Sequence, residues 1–472
     1  MKKWFKYIVI GLVAGACKLP QTQVSVQEKA LPETFKGSAD TSHIGNLSWR
    51  NYFSDPSLQA LIDTALVNNL DKKMALERIQ MAQAQVLAAK GAMLPTLSGN
   101  FSPALRRYGY YTMDGVGNAT TDILPGKRVP VNLPDFYIGL QSTWEIDAWK
   151  KLSNRKKSAY QQFLASVEGV NYVQTQLVAE VASAYFELVA LDHELTVLSE
   201  TVRNQEEVLD VIRAQKEAAR ANELVVQQFK AQQLNTQTLE RQVKQEISEV
   251  ENRLNILLGR YPQPIVRSKD LLFRGLPKDI SAGIPVQVLH NRPDIKAAAL
   301  EVESKRLDVL SARAEFLPSI QLSAGIGYQA FNPKYLLETP TSLAYSLVGG
   351  LTAPLLNRKA IEARFSTAKS SQVLALLDYH QALLNGYTEV LNELNRIEAY
   401  KEISDLKNEE AQVLQLSVQT SNELYTAAKA TYLEVLVAQQ NALQAQLDRV
   451  EAFKRQWLSS ISLYKALGGG WK

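Results

Sequence analysis

Two stretches of this chain repeat the same order of landmarks, and that repetition limits its fold more than any other feature of its 472 residues. One runs from Asp71 to Leu94-Pro95-Thr96-Leu97, the other from Asp294 to Leu317-Pro318-Ser319-Ile320. The Asp-to-Pro spacing is 24 residues in both. The first then passes through Trp144-Glu145-Ile146-Asp147 and ends at Leu257-Leu258-Gly259. The second passes through Leu351-Thr352-Ala353-Pro354 and ends at Ala466-Leu467-Gly468. The last spans, 112 and 114 residues long, differ by two. A tandem order of this kind predicts one elongated, pseudo-symmetric body, where length alone would suggest two or three separate domains.

Residues 151–217 and 359–467 contain no proline. A helix of about 65 residues is nearly 100 Å long, deeper than any ordinary globular core. The long stretches are therefore expected to be coiled coils, each folded back once. A four-three step runs through Leu436, Gln440, Leu443, Leu447, Val450, Lys454, Trp457, Ile461 and Tyr464. Leu239, Val243, Ile247, Val250, Leu254 and Leu257 step almost as regularly. The remaining positions are mostly Gln, Asn, Ser, Ala and Lys, so only a narrow seam would be buried. Such helices suit a hollow cylinder wetted inside and out. The expected reversals are Ala218 to Asn222 and Tyr425 to Ala430.

Ahead of the long stretches come shorter helical patterns. Asp55-Pro56-Ser57 opens one, with Leu58, Leu61, Ile62 and Leu66 on one face. Asp71 to about Met93 and Pro293 to about Phe316 form a matched pair, each stopped by Leu-Pro. Beyond each break the period switches from 3.6 to 2. Leu97, Gly99, Phe101 and Leu105 alternate with polar residues, as do Phe136, Ile138, Leu140, Trp144 and Ile146. Ile320, Leu322, Ala324, Ile326 and Tyr328 follow the same rule, as do Leu343, Tyr345, Leu347 and Leu351. Each segment has one apolar and one largely uncharged polar face, at a length that crosses a bilayer as a tilted strand or serves as a half-buried strand in water. Aromatic residues gather near the segment ends (Tyr108, Tyr110, Tyr111, Phe136, Tyr137, Trp149, Phe331, Tyr335), which favours the membrane. Residues 111–135 and 332–342 read as exposed hairpin loops.

The N-terminus reads as a secretory signal. Lys2, Lys3 and Lys6 precede an apolar run, and Ala14-Gly15-Ala16 precede Cys17, the chain's single cysteine. Its place makes Cys17 a candidate lipid attachment point, with a plain cleaved signal or an uncleaved anchor as the alternatives; Ala14 stands where leucine is usual in a lipoprotein signal. No apolar run after the N-terminus reaches 18 residues, so no spanning helix is expected there. Removing the three lysines lowers the formal charge from +4 to about +1 (4 − 3), which is no footprint for nucleic acid. His43, His193, His290 and His380 are isolated, and Gly468-Gly469-Gly470 is not followed by a helix. Neither a metal site, a phosphate loop nor catalysis is expected, and no cofactor.

The whole order resembles the TolC-type outer-membrane factor family, in its lipoprotein branch. Three segments carry the resemblance: Tyr432-Leu433-Glu434-Val435-Leu436 with Ala438-Gln439-Gln440, Asn291-Arg292-Pro293-Asp294-Ile295, and Leu463 to Trp471 with its Ala-Leu-Gly-Gly-Gly-Trp ending. The resemblance spans residues 45–471. It implies a mixed α+β membrane protein, in which a trimeric outer-membrane β-barrel with four strands per protomer continues into a long periplasmic α-helical coiled-coil barrel. The organisation becomes a signal peptide (1–17), a tether (18–56), a first repeat (57–259, strands about 96–110 and 136–147), a connecting equatorial segment (260–292) and a second repeat (293–468, strands about 319–331 and 343–354).

The implied function is passive export through the outer membrane of a Gram-negative bacterium, as the channel of a tripartite efflux pump for drugs or other toxic compounds. A periplasmic adaptor and an inner-membrane pump would deliver the cargo. Type I protein secretion and metal export are alternatives, and a non-pore periplasmic coiled-coil scaffold lipoprotein is one of a different class. The family motif places Leu433, Glu434 and Val437 at a periplasmic gate. Val437 and Ala430 replace residues that are charged in some members, which leaves Glu434 as the single carboxylate of a gate ring; as ordinary helix positions the three would be seam or solvent residues. Ala218, Ala219, Arg220, Ala221 and Asn222, with Tyr425, Thr426, Ala427 and Ala428, would meet the adaptor. Family turns often carry glycine where this chain has Ala428.

Overall fold

The computed structural model describes residues 20–22, 32, 34, 35, 47–268, 271–274, 276, 285–354 and 358–471. The signal segment with Cys17, most of the tether and part of the connecting segment lie outside the described residues. A short helix α1 (Trp49–Tyr52) leads into α2 (Pro56–Asn68) and α3 (Leu70–Gly91). Strand β1 (Thr96–Arg107) is followed by α4 (Met113–Thr120) and a small hairpin of β2 (Asp122–Leu124) and β3 (Lys127–Arg128). Strand β4 (Asn132–Ile146) precedes the long hairpin of α5 (Lys151–Glu217) and α6 (Glu223–Leu257). The order then recurs: α7 (Pro285–Asn291), α8 (Pro293–Ala314), β5 (Ser319–Ala330), a single 3-10 turn (Pro333–Tyr335), β6 (Leu343–Thr352), α9 (Arg358–Thr426) and α10 (Tyr432–Ala466). Helices α3 and α8 have 22 residues each, β1 and β5 have 12 each, and α6 and α10 have 35 each. Among the described residues no helix is long and apolar enough to cross a membrane.

Local chemistry fixes many of these boundaries. Asp55 caps α2 by accepting from the Leu58 amide at 2.8 Å, with Pro56 in the first turn where its missing N–H costs nothing. The carboxylate of Asp147 accepts from the amides of Leu152 (2.9 Å) and Ser153 (2.8 Å) and so starts α5. Helices α6 and α10 end alike. Gly259 and Gly468 sit at φ 64° and 77°, and Arg260 and Gly469 donate back to the carbonyls of Asn255 and Tyr464. That left-handed closure explains the Leu-Gly ending of both halves.

Two readings need correction. The exposed hairpin connection expected at 111–135 does join β1 to β4, but it holds α4 and the β2–β3 hairpin and is shorter than expected, since β4 begins at Asn132, four residues before 136. Gln440 does not lie in the buried seam of α10. It is exposed and donates to Gln232 Oε1 at 2.6 Å, while Ala438, Ala442 and Ala445 are buried in its place. Small side chains let helices approach closely, which a strict heptad count misses.

The chain divides into two compact units, each drawing on both halves of the sequence. One takes in residues 81–163 and 300–376 and contains a four-stranded antiparallel sheet in the order β1-β4-β5-β6. The other takes in 27–80, 164–299 and 377–472 and contains the main apolar core. There Tyr52 stacks on Tyr464 at 4.2 Å, and Phe186 stacks on Trp457 at 4.2 Å. Their polar atoms are satisfied: Trp457 Nε1 donates to the Leu272 carbonyl at 3.1 Å, and Tyr464 Oη to that of Leu47 at 2.7 Å. Burial pushes the Tyr52 phenol up to about 12 despite its hydrogen bond to Ser460.

The Asn-Arg-Pro-Asp motif belongs to this core. Arg292 is buried, ion-paired with Asp294 at 2.9 Å and with Glu389 at 2.8 Å, and it donates to the Ala466 carbonyl at 2.7 Å. It therefore ties the start of α8 to α9 and to the end of α10. Arg267 makes a second such centre with Asp192 (2.7 Å) and Glu251 (2.6 Å).

Candidate functional site

The sheet has two chemically distinct faces, and the register makes each continuous across all four strands. Phe101 opposes Ile138, Ile138 opposes Tyr328, and Tyr328 opposes Leu343. One rung along, Gly99, Leu140, Ile326 and Tyr345 line up in the same way. Because side chains alternate along a strand, these rows share one side with Leu97, Leu105, Leu347 and Leu351. Leu97 and Leu347 are 71% and 72% exposed, so among the described residues nothing covers them on this apolar face.

The opposite face carries Ser98, Asn100, Gln141, Thr143, Ser323, Gly325 and Ser346. Its groups bond to one another: Asn100 Nδ2 donates to Gln141 Oε1 at 2.8 Å, and the hydroxyls of Thr96 and Thr143 meet at 2.7 Å. Charge appears only near its ends, as Arg106 with Asp135 and as Glu145 with Lys151. Strands β1 and β6 are both free edges.

The two helical hairpins reverse through near-identical turns. Ala219 and Ala428 stand in the left-handed region, at φ 55° and 57°. Arg220 donates to the Gln215 carbonyl at 2.7 Å, and Lys429 to that of Leu424 at 2.8 Å. Each hairpin thus closes with the motif that usually takes glycine, but with alanine in the strained position. The second helix of each pair then starts on a polar cap. Asn222 Oδ1 accepts from the Val225 amide at 3.1 Å. At the other turn the Glu434 carboxylate accepts from the backbone amide and, at 2.9 Å, the hydroxyl of Thr431. Those bonds hold the Glu434 carboxyl below the usual carboxylate range.

Ala218, Ala219, Arg220, Asn222, Thr426, Ala427 and Ala428 are exposed, while Ala221 and Tyr425 are half-buried. Tyr425 and Thr426 still belong to the last turn of α9, so this reversal is shorter than its predicted span. Leu433, Glu434 and Val437 lie on the exposed side of the first turns of α10, with Leu433 51% and Val437 45% exposed. Val435 and Leu436 take the buried side.

Besides the Gln440–Gln232 bond, two further contacts among the described residues join the hairpins near their tips, and neither had a signal in the sequence. Tyr425 Oη donates to Gln215 Oε1 at 3.0 Å, across 210 residues. A small satellite core gathers Leu209, Ile212, Val225 and Phe229 from the first hairpin with Leu436 from the second. Among the described residues there is no group of three or more His, Cys, Asp or Glu side chains fit to hold a metal.

The sequence model of the family described as "Outer membrane efflux protein" matches residues 61–260 and 284–469. The "Cation efflux system protein CusC" of Escherichia coli is 28% identical over 431 residues, covering 90% of this chain and 89% of that protein. The "Pyoverdine export outer membrane protein OpmQ" of Pseudomonas putida is 28% identical over 428 residues, covering 90% and 88%. A crystal structure of CusC, described in terms of transmembrane channel formation, superposes with a TM-score of 0.83 at 25% identity. It covers 95% of this chain and 99% of the other.

Proposed function

The chain belongs to the outer membrane efflux protein family, and from that premise we propose that three copies build one channel across the outer membrane and into the periplasm. The observation that carries this reading is the sheet, with its continuous uncovered apolar face, its polar face charged only near the ends and its two open edges. Backbone groups left open in hydrocarbon cost several kcal/mol each, so strands cross a membrane only as closed barrels. Four strands cannot close, but four from each of three protomers can, with the apolar side to lipid and the polar side to water. Exposed leucines on the helices (Leu87, Leu374, Leu406 and Leu416) give neighbouring copies an apolar contact.

The α5–α6 and α9–α10 hairpins then form the periplasmic tunnel. The turns at 218–222 and 425–428 receive a periplasmic adaptor, which couples the channel to an inner-membrane pump. Leu433, Glu434 and Val437 narrow its inner end, where three Glu434 carboxylates near one axis favour cations. Cys17 carries the lipid anchor. Transport is passive, and the pump selects the cargo: relatives named for cation efflux and for pyoverdine export match this chain at equal identity. The test is migration of the purified protein in detergent with and without heating, together with conductance in planar bilayers. A heat-dissociable trimer with discrete conductance steps is expected. A water-soluble monomer with no conductance would reject the channel.

A further inference from the structure

Where β4 ends and β5 begins, the sheet unit holds a cavity of about 460 Å³ with a one-sided charge. Lys150, Lys157, Arg306 and Arg313 line it with Trp149 and Asn154, and no carboxylate does. Arg306 is held by Glu303 at 2.6 Å. Lys150, Lys157 and Arg313 have no ion pair among the described residues, and Arg313 Nε is buried without a hydrogen-bond partner. Nearby carboxylates are engaged elsewhere: Asp147 caps α5, Glu145 pairs with Lys151, and Glu315 pairs with Arg364 at 2.8 Å. The remaining wall is apolar, with Leu310 and Leu317 among its residues. Trp149 donates its Nε1 to the Pro318 carbonyl at 2.7 Å and is 46% exposed, as tryptophans are at a membrane surface.

We propose that this cavity binds the phosphate of an anionic phospholipid headgroup, with the acyl chains running from Leu310 and Leu317 onto the apolar face of the sheet. A guanidinium fork and two ammonium groups suit a phosphate diester, and an uncompensated cluster of cations at a membrane surface gains from an anionic lipid. The inference rests on the sheet lying in a membrane, so the full-length protein is first checked for conductance in planar bilayers. The same preparation in detergent is then titrated with phosphatidylglycerol and with phosphatidylcholine, and bound lipid is read by native mass spectrometry.

Phosphatidylglycerol is expected to bind in preference. The triple variant Lys150→Gln/Lys157→Gln/Arg313→Gln is expected to weaken it by about tenfold or more, with heat-dissociable trimer migration and conductance unchanged. The single variant Arg313→Lys keeps the charge and is expected to keep the preference. Equal binding of the two lipids, or undiminished binding in the triple variant, overturns the site while leaving the channel standing. Displacement of phosphatidylglycerol by equimolar inorganic phosphate would mean a soluble-anion site and likewise overturn the lipid assignment. Loss of conductance in the unmodified protein would instead count against the membrane reading.

Discussion

Glu434 combines two roles that ordinary mutagenesis would confuse. Its carboxylate closes the first turn of α10 on Thr431, and it is the charge proposed to ring the tunnel. Alanine would remove both, whereas glutamine can still accept from the Thr431 amide. Glu434→Gln is therefore expected to lower cation preference in single-channel recordings while assembly is unchanged. Unaltered ion selectivity would remove Glu434 from the gate. Ala219 and Ala428 are strained in a way that glycine would relieve. Ala428→Gly is expected to stabilise its turn by about 0.5–1 kcal/mol, seen as slower amide exchange around residues 424–432. Arg292 is the converse case, because its loss strands the Asp294 carboxylate and leaves that of Glu389 only Lys465, at 3.4 Å, in a partly dry site. Both remain about a quarter to a third exposed, so Arg292→Ala is expected to cost about 3 kcal/mol, the lower end for a broken buried pair. That cost should appear as a lower midpoint of thermal unfolding.

At the scale of elements, the long helices were legible because proline-free runs and Leu-Pro breaks are local signals. The predicted 151–217 helix matches α5 at both ends. The strands were legible from period two, and the register then joined their apolar faces into one. Helix α4 was not, because Met113–Thr120 contains two glycines and helix propensity there is poor. Nothing in one sequence links Tyr425 to Gln215, or Arg292 to Ala466, since those pairs are made only by folding. The satellite core at the hairpin tips is small, so Phe229→Ala should loosen the tips alone. Faster amide exchange near 205–230 and 432–437, with the main core unchanged, is the expected pattern.

The α5 residue Glu194 gives a pH test. Burial raises its carboxyl to about 6, with Lys454 opposing. The folded form therefore holds its proton more tightly than the unfolded chain does. Stability from this group is complete below the ordinary value of 4.5 and falls away as pH rises through about 6. Glu194→Gln is expected to melt at a higher temperature than the parent at pH 8, with the gap closing by pH 4.5. A gap independent of pH would contradict the assignment.

For the whole molecule, one chain presents a sheet that is apolar on one side, polar on the other and open at both edges, a form that is incomplete alone. Membership of the efflux family gives the destination, and barrel closure supplies the reason for more than one copy. The most direct measurement places single cysteines at alternate positions of β1 and β6 in membranes and reads labelling by a water-soluble thiol reagent. Cys17, the chain's single cysteine, lies far from both strands in sequence. Ser98→Cys, Asn100→Cys and Ser346→Cys are expected to react through the water-filled interior, while Leu97→Cys, Phe101→Cys and Leu347→Cys stay protected by lipid. Equal reaction at both sets would place the sheet in water and contradict the channel.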